Sequence, residues 1–414
     1  MQNPFPKLAG FFRQTFQSAD TSVVGVDIGS AYIKVVQLRR KSGKAVLETY
    51  GSLAIGPYGG VEIGRATHLP PEKIAEALRD LLREAHVTST SAAFAIPFAS
   101  SLVTTMDMRV LDPKQLRTIV PIEARKYIPV PISEVNLDWW IIPDEPERVS
   151  NEETRTGEPG QAVQEETQQG GQEQASGSAA ETGLPPLPEN GAQPTANESG
   201  APKDMKILIA AIHNEAMSRY GEVVKQSGLT SSFFEIELFS TIRALFPQDL
   251  LPHAVLDLGA GETKLYIIDR GLIRTSHIIN HGGQDITLAL SRSLGITVAE
   301  AEKKKRDEGI LQTGDETEGA TAILNVVCGE TNRVLENFER KFGRKVVDVV
   351  LTGGGANLPG LEALAEQTMS VPSVRANPFK QTLAPAFLDE VLRGVGPEFT
   401  VAVGIAFRKL QEGS

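Results

Sequence analysis

The sequence predicts an α/β protein built from two related domains that face each other across a cleft. A strand, glycine turn, strand pattern occurs twice, at 27–34 and 257–264, with Asp, Gly and Lys at identical offsets. A spacing of 230 residues is too long for a solenoid repeat and indicates a duplicated domain. Apolar strand-like runs also alternate with amphipathic helical segments. The 414 residues exceed most single cores, so two or three domains are expected.

The net charge of −11 is concentrated in one segment. Residues 144–204 hold 13 acidic and 3 basic side chains and contain no aromatic residue. Such a segment cannot bury enough apolar surface to offset the entropy lost on ordering, so we expect a disordered acidic loop. The rest of the chain, with 39 acidic and 38 basic residues, is nearly neutral.

Composition excludes several classes of protein. The single cysteine, Cys328, excludes an internal disulfide framework and a CxxC zinc site, and it fits a reducing cytoplasm. The six histidines show no metal-ligand spacing. No apolar run approaches the roughly 18 residues needed to cross a bilayer, and the N-terminus lacks the apolar core of a signal peptide. The acidic balance argues against a general nucleic-acid binder.

The first 20 residues predict a short amphipathic helix. Spacings of three and four place its apolar side chains on one face: Phe5, Leu8, Phe11, Phe12 and Phe16. This segment either packs on the protein's own core or frays, or it contacts a membrane surface or a partner.

The first domain continues with strands at 23–28, 33–38 and 45–50. A helix over 71–86, with Pro71 near its start, precedes a strand at 92–96.

Residues 98–229 predict a small α/β subdomain that the acidic loop interrupts. A strand at 101–110 precedes a helix with Asp112 as N-cap and Pro113 at its first position, and a further strand lies near 134–142. Beyond the loop, a strand at 206–212 and a helix at 215–227 complete it. The loop is therefore expected to connect the strand near 134–142 with the strand at 206–212, where a tight turn would be long enough.

The second domain repeats the opening pattern. Strands are predicted at 254–259, 264–268 and 272–279, followed by a mixed helical stretch over 284–342. A buried strand at 346–351 then ends in Thr352 and a glycine triplet.

The two hairpins have the composition of an anion site. Glycine in each turn lets backbone N–H groups approach an anion closely, so two opposed hairpins could clamp a polyphosphate. Asp27 and Asp257 end the apolar strands and suit a hydrated Mg²⁺ ion, while Lys34 could reach a phosphate. One such hairpin alone is more often an ordinary β-turn. The matched pair favours a nucleotide site, although no Walker loop or GxGxxG motif occurs.

The glycine triplet at 353–355 follows a buried strand and could let a flat adenosine lie against bare backbone. The alternative is a turn that leads into a helix, with Asn357 or Pro359 setting the helix start.

These motifs resemble the ATPase superfamily of actin, the DnaK chaperones and the sugar kinases. Residues 27–34 look like its first phosphate motif, 257–263 like its second, and 351–361 like its adenosine motif. The subdomain at 98–229 resembles that of FtsA and of the type IV pilus assembly protein PilM. The stretch 100–140 resembles the PilM family in particular.

The resemblance implies an actin-like, ribonuclease H-like duplicated α/β fold with an FtsA/PilM-type inserted small α/β subdomain. It implies the following division: 1–20 as an N-terminal amphipathic segment, 21–97 with 230–251 and 393–414 as subdomain 1A, 98–229 as subdomain 1C, 252–294 with 345–392 as subdomain 2A, and 295–344 as subdomain 2B.

The same resemblance implies roles for particular residues. Asp27 and Asp257 would organise Mg²⁺ and its water, and Glu237 would position the attacking water, with Glu235 as its rival. Glu302 and Lys305 match contacts to adenine and ribose. The residues implied in nucleotide binding are Gly29, Ser30, Ala31, Lys34, Gly259, Ala260, Gly261, Thr263, Glu302, Lys305, Gly353, Gly354, Gly355 and Asn357.

Two of these assignments have local alternatives. Without the resemblance, the basic run at 303–306 is a solvated helix face. Asp285 either belongs to a turn near the second phosphate motif or is a helix N-cap.

As a function, the resemblance implies a cytoplasmic ATP-binding component of the type IV pilus machinery at the cytoplasmic face of the inner membrane. It would bind the N-terminal cytoplasmic peptide of PilN, and with it the PilN/PilO complex, in a nucleotide-linked way. The pilus motor ATPases and the platform protein are further candidate partners. Hydrolysis would be slow. Alternatives are an FtsA-like cell-division filament protein, a small-molecule kinase, for which neither a base nor sugar ligands are identifiable, and a scaffold without nucleotide.

Overall fold

The structure is a computed structural model that describes residues 21–109, 113–142, 204–311 and 315–412. Its strands are β1 (Ser22–Ile28), β2 (Tyr32–Lys41), β3 (Lys44–Ala54), β4 (Ser91–Ile96), β5 (Ser101–Arg109), β6 (Val135–Ile142), β7 (Asp204–His213), β8 (Thr230–Ile236), β9 (His253–Leu258), β10 (Thr263–Asp269), β11 (Leu272–Ile279), β12 (Val349–Thr352), β13 (Ser373–Arg375) and β14 (Thr382–Leu383). Its helices are α1 (Pro71–Glu84), α2 (Pro113–Glu123), α3 (Asn214–Ser227), α4 (Glu237–Leu245), α5 (Gly283–Leu294), α6 (Val298–Asp307), α7 (Asp315–Phe342), α8 (Leu361–Thr368), α9 (Asp389–Val395) and α10 (Thr400–Glu412).

Three sequence predictions lie outside the described residues: the amphipathic segment 1–20, the acidic loop up to residue 203, and the capping role of Asp112. Within the described ranges, no helix is both long and apolar enough to span a bilayer.

The two large sheets share one topology. The first has the order β14-β3-β2-β1-β4-β8 and the second has the order β11-β10-β9-β12-β13. In each sheet an antiparallel meander of three strands is followed by a parallel strand on the far side of the first strand. Asp27 lies directly opposite Lys34, and Asp257 lies opposite Lys264. The duplication that the two hairpins predicted is therefore present in the strand order and in the register.

The central strands β1 and β9 are almost continuously buried, as expected for strands covered on both faces. Helix α10 packs on β1 and α4 at very close range. A Cβ atom on Gly25 would overlap the carbonyl oxygen of Ala402, and one on Gly404 would overlap that of Ser240. Bare glycine backbone therefore sets the distance between this helix and its neighbours.

The third sheet, β5-β7-β6, belongs to the inserted segment. Helix α2 covers one face, where Leu116 and Val120 pack against Ile207 and Ile209. The other face joins the core of the first domain, and the Trp140 ring lies 5.5 Å from that of Phe239.

Some element boundaries differ from the prediction. Strand β12 starts at Val349 rather than at 346. The helical stretch at 284–342 contains three helices, α5 to α7. Residues 382–383 add an edge strand beside β3, and Phe379 and Leu392 join the apolar cluster of the first domain, although the sequence assigned 345–392 to the second. The other subdomain boundaries stay predictions.

Candidate functional site

A cavity of about 880 Å³ lies between the two large sheets. The turns of both Asp–Lys hairpins, the start of α4, the inner face of α6 and the glycine triplet line it. Apart from the rival candidate Glu235, all the sequence-predicted site residues line this cavity except Thr263. The structure therefore brings together, from both halves of the chain, nearly the whole predicted set.

The first hairpin presents Asp27 at the end of β1. Its Oδ2 atom lies 3.5 Å from Nζ of Lys34 on the facing strand. The turn closes through a hydrogen bond that the Gly29 N–H donates to the carbonyl oxygen of Tyr32, at 2.9 Å. Ser30 is the exposed residue of this turn.

The second hairpin has the same construction. Asp257 Oδ2 lies 3.8 Å from Lys264 Nζ, and the Gly259 N–H donates to the carbonyl oxygen of Glu262 at 3.0 Å. A Cβ atom on Gly261 would lie 3.6 Å from Oγ of Ser30, so the two turns face each other across the cleft. Thr263 is buried beneath the turn, where its hydroxyl donates to the carbonyl oxygen of His281 at 2.7 Å.

An ion pair on the cleft floor joins the two domains. Lys264 Nζ lies 2.6 Å from Oε1 of Glu237, the first residue of α4. The Phe98 N–H donates to the same oxygen at 2.7 Å. Burial and the charges of Asp257 and Asp27 raise the pKa of Glu237, against the effect of Lys264. Burial opposes the charge of Lys264, but Glu237 and Asp257 outweigh it and raise the pKa of this lysine.

Sequence reasoning left Lys264 out of the site. The signal was available, because Lys264 occupies the same offset in the second hairpin as Lys34 does in the first. Its reach to Glu237 across the domain boundary was not visible in the sequence.

Glu235, the rival of Glu237, does not line the cavity. It is buried between β8 and α10, with Oε2 2.6 Å from Arg243 and Oε1 2.6 Å from Arg408. The Ser240 hydroxyl donates to it at 2.7 Å. Burial opposes its ionisation, but the two guanidinium groups hold the pKa of Glu235 at about 2. Glu235 therefore belongs to the packing between β8 and α10 and not to the cavity.

The glycine triplet closes the cavity on the side of β9. Gly353 has φ +79°, and a Cβ atom there would overlap Oδ1 of Asp257. A Cβ atom on Gly355 would lie 2.7 Å from Cβ of Leu258, whereas Gly354 faces open space. Asn357 accepts a hydrogen bond from Arg375 at 2.7 Å. Neither Asn357 nor Pro359 starts a helix, because α8 begins at Leu361.

Helix α6 contributes a charged pair on its inner face. Glu302 Oε2 accepts from Lys305 at 2.6 Å and from Thr287 at 2.7 Å, and Oε1 accepts from Arg306 at 2.8 Å. Burial opposes the charge of Glu302, but Lys305 and Arg306 lower its pKa. Of the basic run, Lys303 is a solvated residue paired with Asp307, while Lys305 faces the cavity.

Asp285 is not the N-cap of α5. It stands at the third helical position and accepts a hydrogen bond from the Gly282 N–H at 2.9 Å. It thus fixes the turn beside the second hairpin.

Contacts across the cleft mouth were not predicted. Gly64, with φ +87°, lies against Glu302, since a Cβ atom there would be 2.5 Å from its carboxyl carbon. The Ala66 N–H donates to Oε1 of Gln284 at 3.2 Å. The Arg306 guanidinium lies 4.9 Å from the centre of the Tyr32 ring. The described conformation therefore has its two domains in contact on this side.

The donors around the cavity fit a magnesium nucleotide. A Cβ atom on Gly259 would lie 2.7 Å from the Glu262 carbonyl oxygen, so the turn must present bare backbone. Two aspartates from opposed domains suit Mg²⁺, which keeps several waters. In the described part of the chain, no cluster of three or more His, Cys, Asp or Glu side chains could hold a metal ion alone. Phosphate oxygens and water would have to complete such a site.

Comparisons with known proteins test the fold. Among solved structures, a complex described as the PilM–PilN type IV pilus biogenesis complex aligns with a TM-score of 0.70 at 23% identity, over 95% of this chain and 99% of that one. This likeness confirms the predicted actin-like α/β fold with two facing domains.

Curated relatives match shorter regions. The cell division protein FtsA of Neisseria meningitidis is 25% identical over 236 residues, which are 50% of this chain and 55% of FtsA. The ethanolamine utilization protein EutJ of Salmonella typhimurium is 32% identical over 114 residues, 27% of this chain and 37% of EutJ. The chain thus spans little more than half of these relatives at most.

A family model covers far more of the sequence. The model described as type IV pilus assembly protein PilM matches residues 25–155 and 193–410, which include both hairpins, the inserted subdomain and the glycine triplet. This chain therefore belongs to the PilM family of type IV pilus assembly proteins.

Proposed function

We propose that this protein is a type IV pilus assembly component that binds ATP with Mg²⁺ in the cleft and holds the N-terminal cytoplasmic peptide of PilN in a nucleotide-linked way. The observation that carries the proposal is the opposition of two matched turns, in which Gly261 of one domain faces Ser30 of the other at the cavity. A polyphosphate bound there would be held from both sides by backbone N–H groups.

Each domain supplies one half of the phosphate site. Residues 29–31 and Lys34 would bind from the first domain, and residues 259–261 from the second. Asp27 and Asp257 would hold Mg²⁺ through its waters, and the ion would neutralise phosphate charge. Thr263 would support the second turn from below rather than touch the nucleotide.

The adenosine would lie between the glycine triplet and α6. Gly353 and Gly355 have no room for a side chain, and Gly354 leaves a flat opening. On the facing helix, Glu302 is buried and Lys305 is half-buried, and the two could exchange part of their mutual contact for ribose and adenine groups.

A nucleotide that touches both domains favours the conformation in which both touch it. The contacts at the mouth, from Gly64 to Glu302 and from Arg306 to Tyr32, form in the closed arrangement. ATP would therefore shift the protein toward closure and would change any partner surface that depends on the domain angle. Glu237 would position the water for a slow hydrolysis.

The partner proposal rests on family membership and on the PilM–PilN complex, whose chain covers 95% of this one. Through PilN the protein would join the PilN/PilO complex at the cytoplasmic face of the inner membrane. The motor ATPases and the platform protein are further partners to test.

Nucleotide binding is tested by titrating the protein with a fluorescent ATP analogue and Mg²⁺. We expect saturable binding that the double variant Asp27→Ala, Asp257→Ala abolishes. The matched control is Asp307→Ala, Asp389→Ala, because these aspartates are exposed and each pairs with the next turn of its own helix. Unchanged binding by the first double variant would refute the site.

The partner is tested with a synthetic peptide of the PilN N-terminus on an affinity resin, with and without ATP and Mg²⁺. We expect capture of the protein, with an affinity that changes when ATP is added. A scrambled peptide is the control. Equal affinity in both conditions would refute the nucleotide linkage but would still support the peptide as a partner.

The match to FtsA over half of the chain favours one alternative, a filament-forming protein. Sedimentation with ATP distinguishes the two. We expect the protein to stay in the supernatant, and ATP-dependent pelleting would favour the alternative.

A further inference from the structure

The two lysines of the matched hairpins make different contacts. Lys34 lies 3.5 Å from Asp27 of its own hairpin. Lys264 lies 3.8 Å from Asp257 of its own hairpin, but it also reaches into the other domain, where its Nζ atom lies 2.6 Å from Oε1 of Glu237. Only 12% of the Lys264 side chain and 7% of the Glu237 side chain are exposed. The two matched hairpins therefore differ in the contacts of their lysines.

Glu237 is held from two directions at the same atom. The Lys264 ammonium and the Phe98 N–H both donate to Oε1, at 2.6 and 2.7 Å. Charge-assisted bonds of this length are strong, and both hold the carboxylate at one oxygen. Of the charges around Glu237, that of Lys264 is the one that opposes the uptake of a proton. Tyr266, whose hydroxyl lies 3.4 Å from Asp257 Oδ2, helps to keep that neighbouring carboxylate in place beside Lys264.

We propose that Lys264 is a positioning residue that holds Glu237 in an ion pair across the cleft floor and so keeps bound ATP from being hydrolysed. This inference rests on the proposed function, since it takes ATP to be the occupant of the cleft. Nucleotide would then act as a retained ligand that sets the domain angle rather than as a fuel consumed at each cycle.

The step that Lys264 restrains is an ordinary phosphoryl transfer to water. The water oxygen bonds to the γ-phosphorus while the bond from that phosphorus to the β,γ-bridging oxygen breaks. ADP leaves with the bridging oxygen, and the proton of the water passes to Glu237 and then to solvent. An ammonium on Glu237 disfavours both the orientation of the water and the acceptance of its proton.

The test compares the full-length wild type with Lys264→Met, Lys264→Arg and the double variant Lys264→Met, Glu237→Gln. Binding of a fluorescent ATP analogue is measured first, and phosphate release from ATP is then followed under single-turnover conditions. We expect Lys264→Met to bind ATP and to release phosphate on the order of ten to a hundred times faster than the wild type. Lys264→Arg should stay slow, and the double variant should lose the gain, because the gain requires a free Glu237 carboxylate.

A second measurement does not depend on turnover. The Phe98 N–H donates to Glu237, so the hydrogen-exchange rate of the Phe98 amide, measured by nuclear magnetic resonance, reports whether the Glu237 carboxylate stays in this position. With ATP bound, we expect this amide to stay protected in the wild type and in Lys264→Arg, and to exchange faster in Lys264→Met.

The outcomes separate this inference from the proposed function. If the wild type does not bind ATP, the proposed function fails first. If the wild type and Lys264→Met both bind ATP and hydrolyse it equally slowly, only the present inference is overturned. Lys264→Gln is the second neutral variant. If both neutral variants lose folding or ATP binding while Lys264→Arg keeps them, Lys264 is a structural or phosphate-binding residue and the proposal is wrong.

Discussion

Two buried ionic clusters lie two residues apart, at the junction of β8 and α4. The first surrounds Glu235, whose carboxylate binds Arg243, Arg408 and the Ser240 hydroxyl behind the sheet. The second surrounds Glu237, which shares the cleft floor with Lys264 and with the carboxylates of the two hairpins. The first cluster lies away from the cavity and is called the closed cluster, whereas the second borders the cavity and is called the open cluster.

The difference appears in the pKa of each glutamate. Despite burial, Arg243 and Arg408 hold the pKa of Glu235 at about 2. Burial and two neighbouring aspartates raise the pKa of Glu237. Burial and charge alone therefore do not identify a functional carboxylate. Glu237 differs because it lines a cavity and because burial and nearby aspartates disfavour its charged form. Proteins commonly keep carboxylates with such perturbed pKa values at sites of chemistry or binding.

The largest expected effect tests the closed cluster. Glu235→Ala removes the carboxylate that pairs with buried Arg408 and half-buried Arg243, and we expect a loss of about 3–5 kcal/mol in the free energy of unfolding, measured with urea. Glu222→Ala is the control, since Glu222 is exposed and forms a surface pair with Lys225, and its cost should stay below about 1 kcal/mol. Equal costs would mean that the cluster contributes nothing beyond a surface pair.

The next effect tests the helix that carries Arg408. Gly404→Ala would press a methyl group into the Ser240 carbonyl oxygen, and we expect a loss of about 1–3 kcal/mol. Gly329→Ala on α7 is the matched control, because a Cβ atom there meets nothing within 4 Å. That control should be neutral or slightly stabilising. A neutral Gly404→Ala would show that α10 can move away from α4 without cost.

Glu237→Gln tests the open cluster and should cost less stability than the loss of Glu235. The amide keeps an acceptor for the Phe98 N–H, and Lys264 keeps Asp257 within 3.8 Å. We expect about 1–2 kcal/mol in the same urea titration. ATP binding should survive, whereas slow phosphate release should disappear. A cost as large as that of Glu235→Ala would make Glu237 a structural residue as well.

The smallest effect is a pH dependence. Since the folded pKa of Glu235 is depressed to about 2, its stabilisation is fully present above pH 4.5 and is lost as the pH falls through about 2. At pH 4 the wild type should have lost about 1 kcal/mol of this contribution. The difference in unfolding free energy between wild type and Glu235→Gln, measured from pH 7 to pH 3.5, should shrink accordingly. A constant difference would contradict the ion pair.

The contrast between these glutamates also marks the limit of sequence reasoning. Residues two apart on a strand share a face, so the strand pattern alone could not separate Glu235 from Glu237, and the preference for Glu237 came from the family resemblance. The strand ends at Ile236 and the helix begins at Glu237, and this change of direction sends the second carboxylate into the cleft. Motifs with a local pattern, such as the two hairpins, were predictable.

Contacts between segments that are distant in the sequence were not predictable. The two-residue strand β14 has no periodicity of its own and forms only because β3 offers an edge. The contacts of Gly64, Ala66 and Arg306 across the cleft mouth join segments more than 200 residues apart. The ion pair of Lys264 with Glu237 likewise depends on how two domains meet, which no local pattern encodes.

The register of the small sheet has a practical consequence. Ile142, the last residue of β6, lies directly opposite Lys206 near the start of β7. The chain therefore leaves and re-enters this sheet at one point, and the length of the intervening segment is independent of the strand pairing. This point is suited to a genetically inserted reporter or affinity tag, or to a short replacement turn in variants made for crystallisation. It lies at the opposite end of the β6–β7 pair from Val135 and His213, which face each other at the other end.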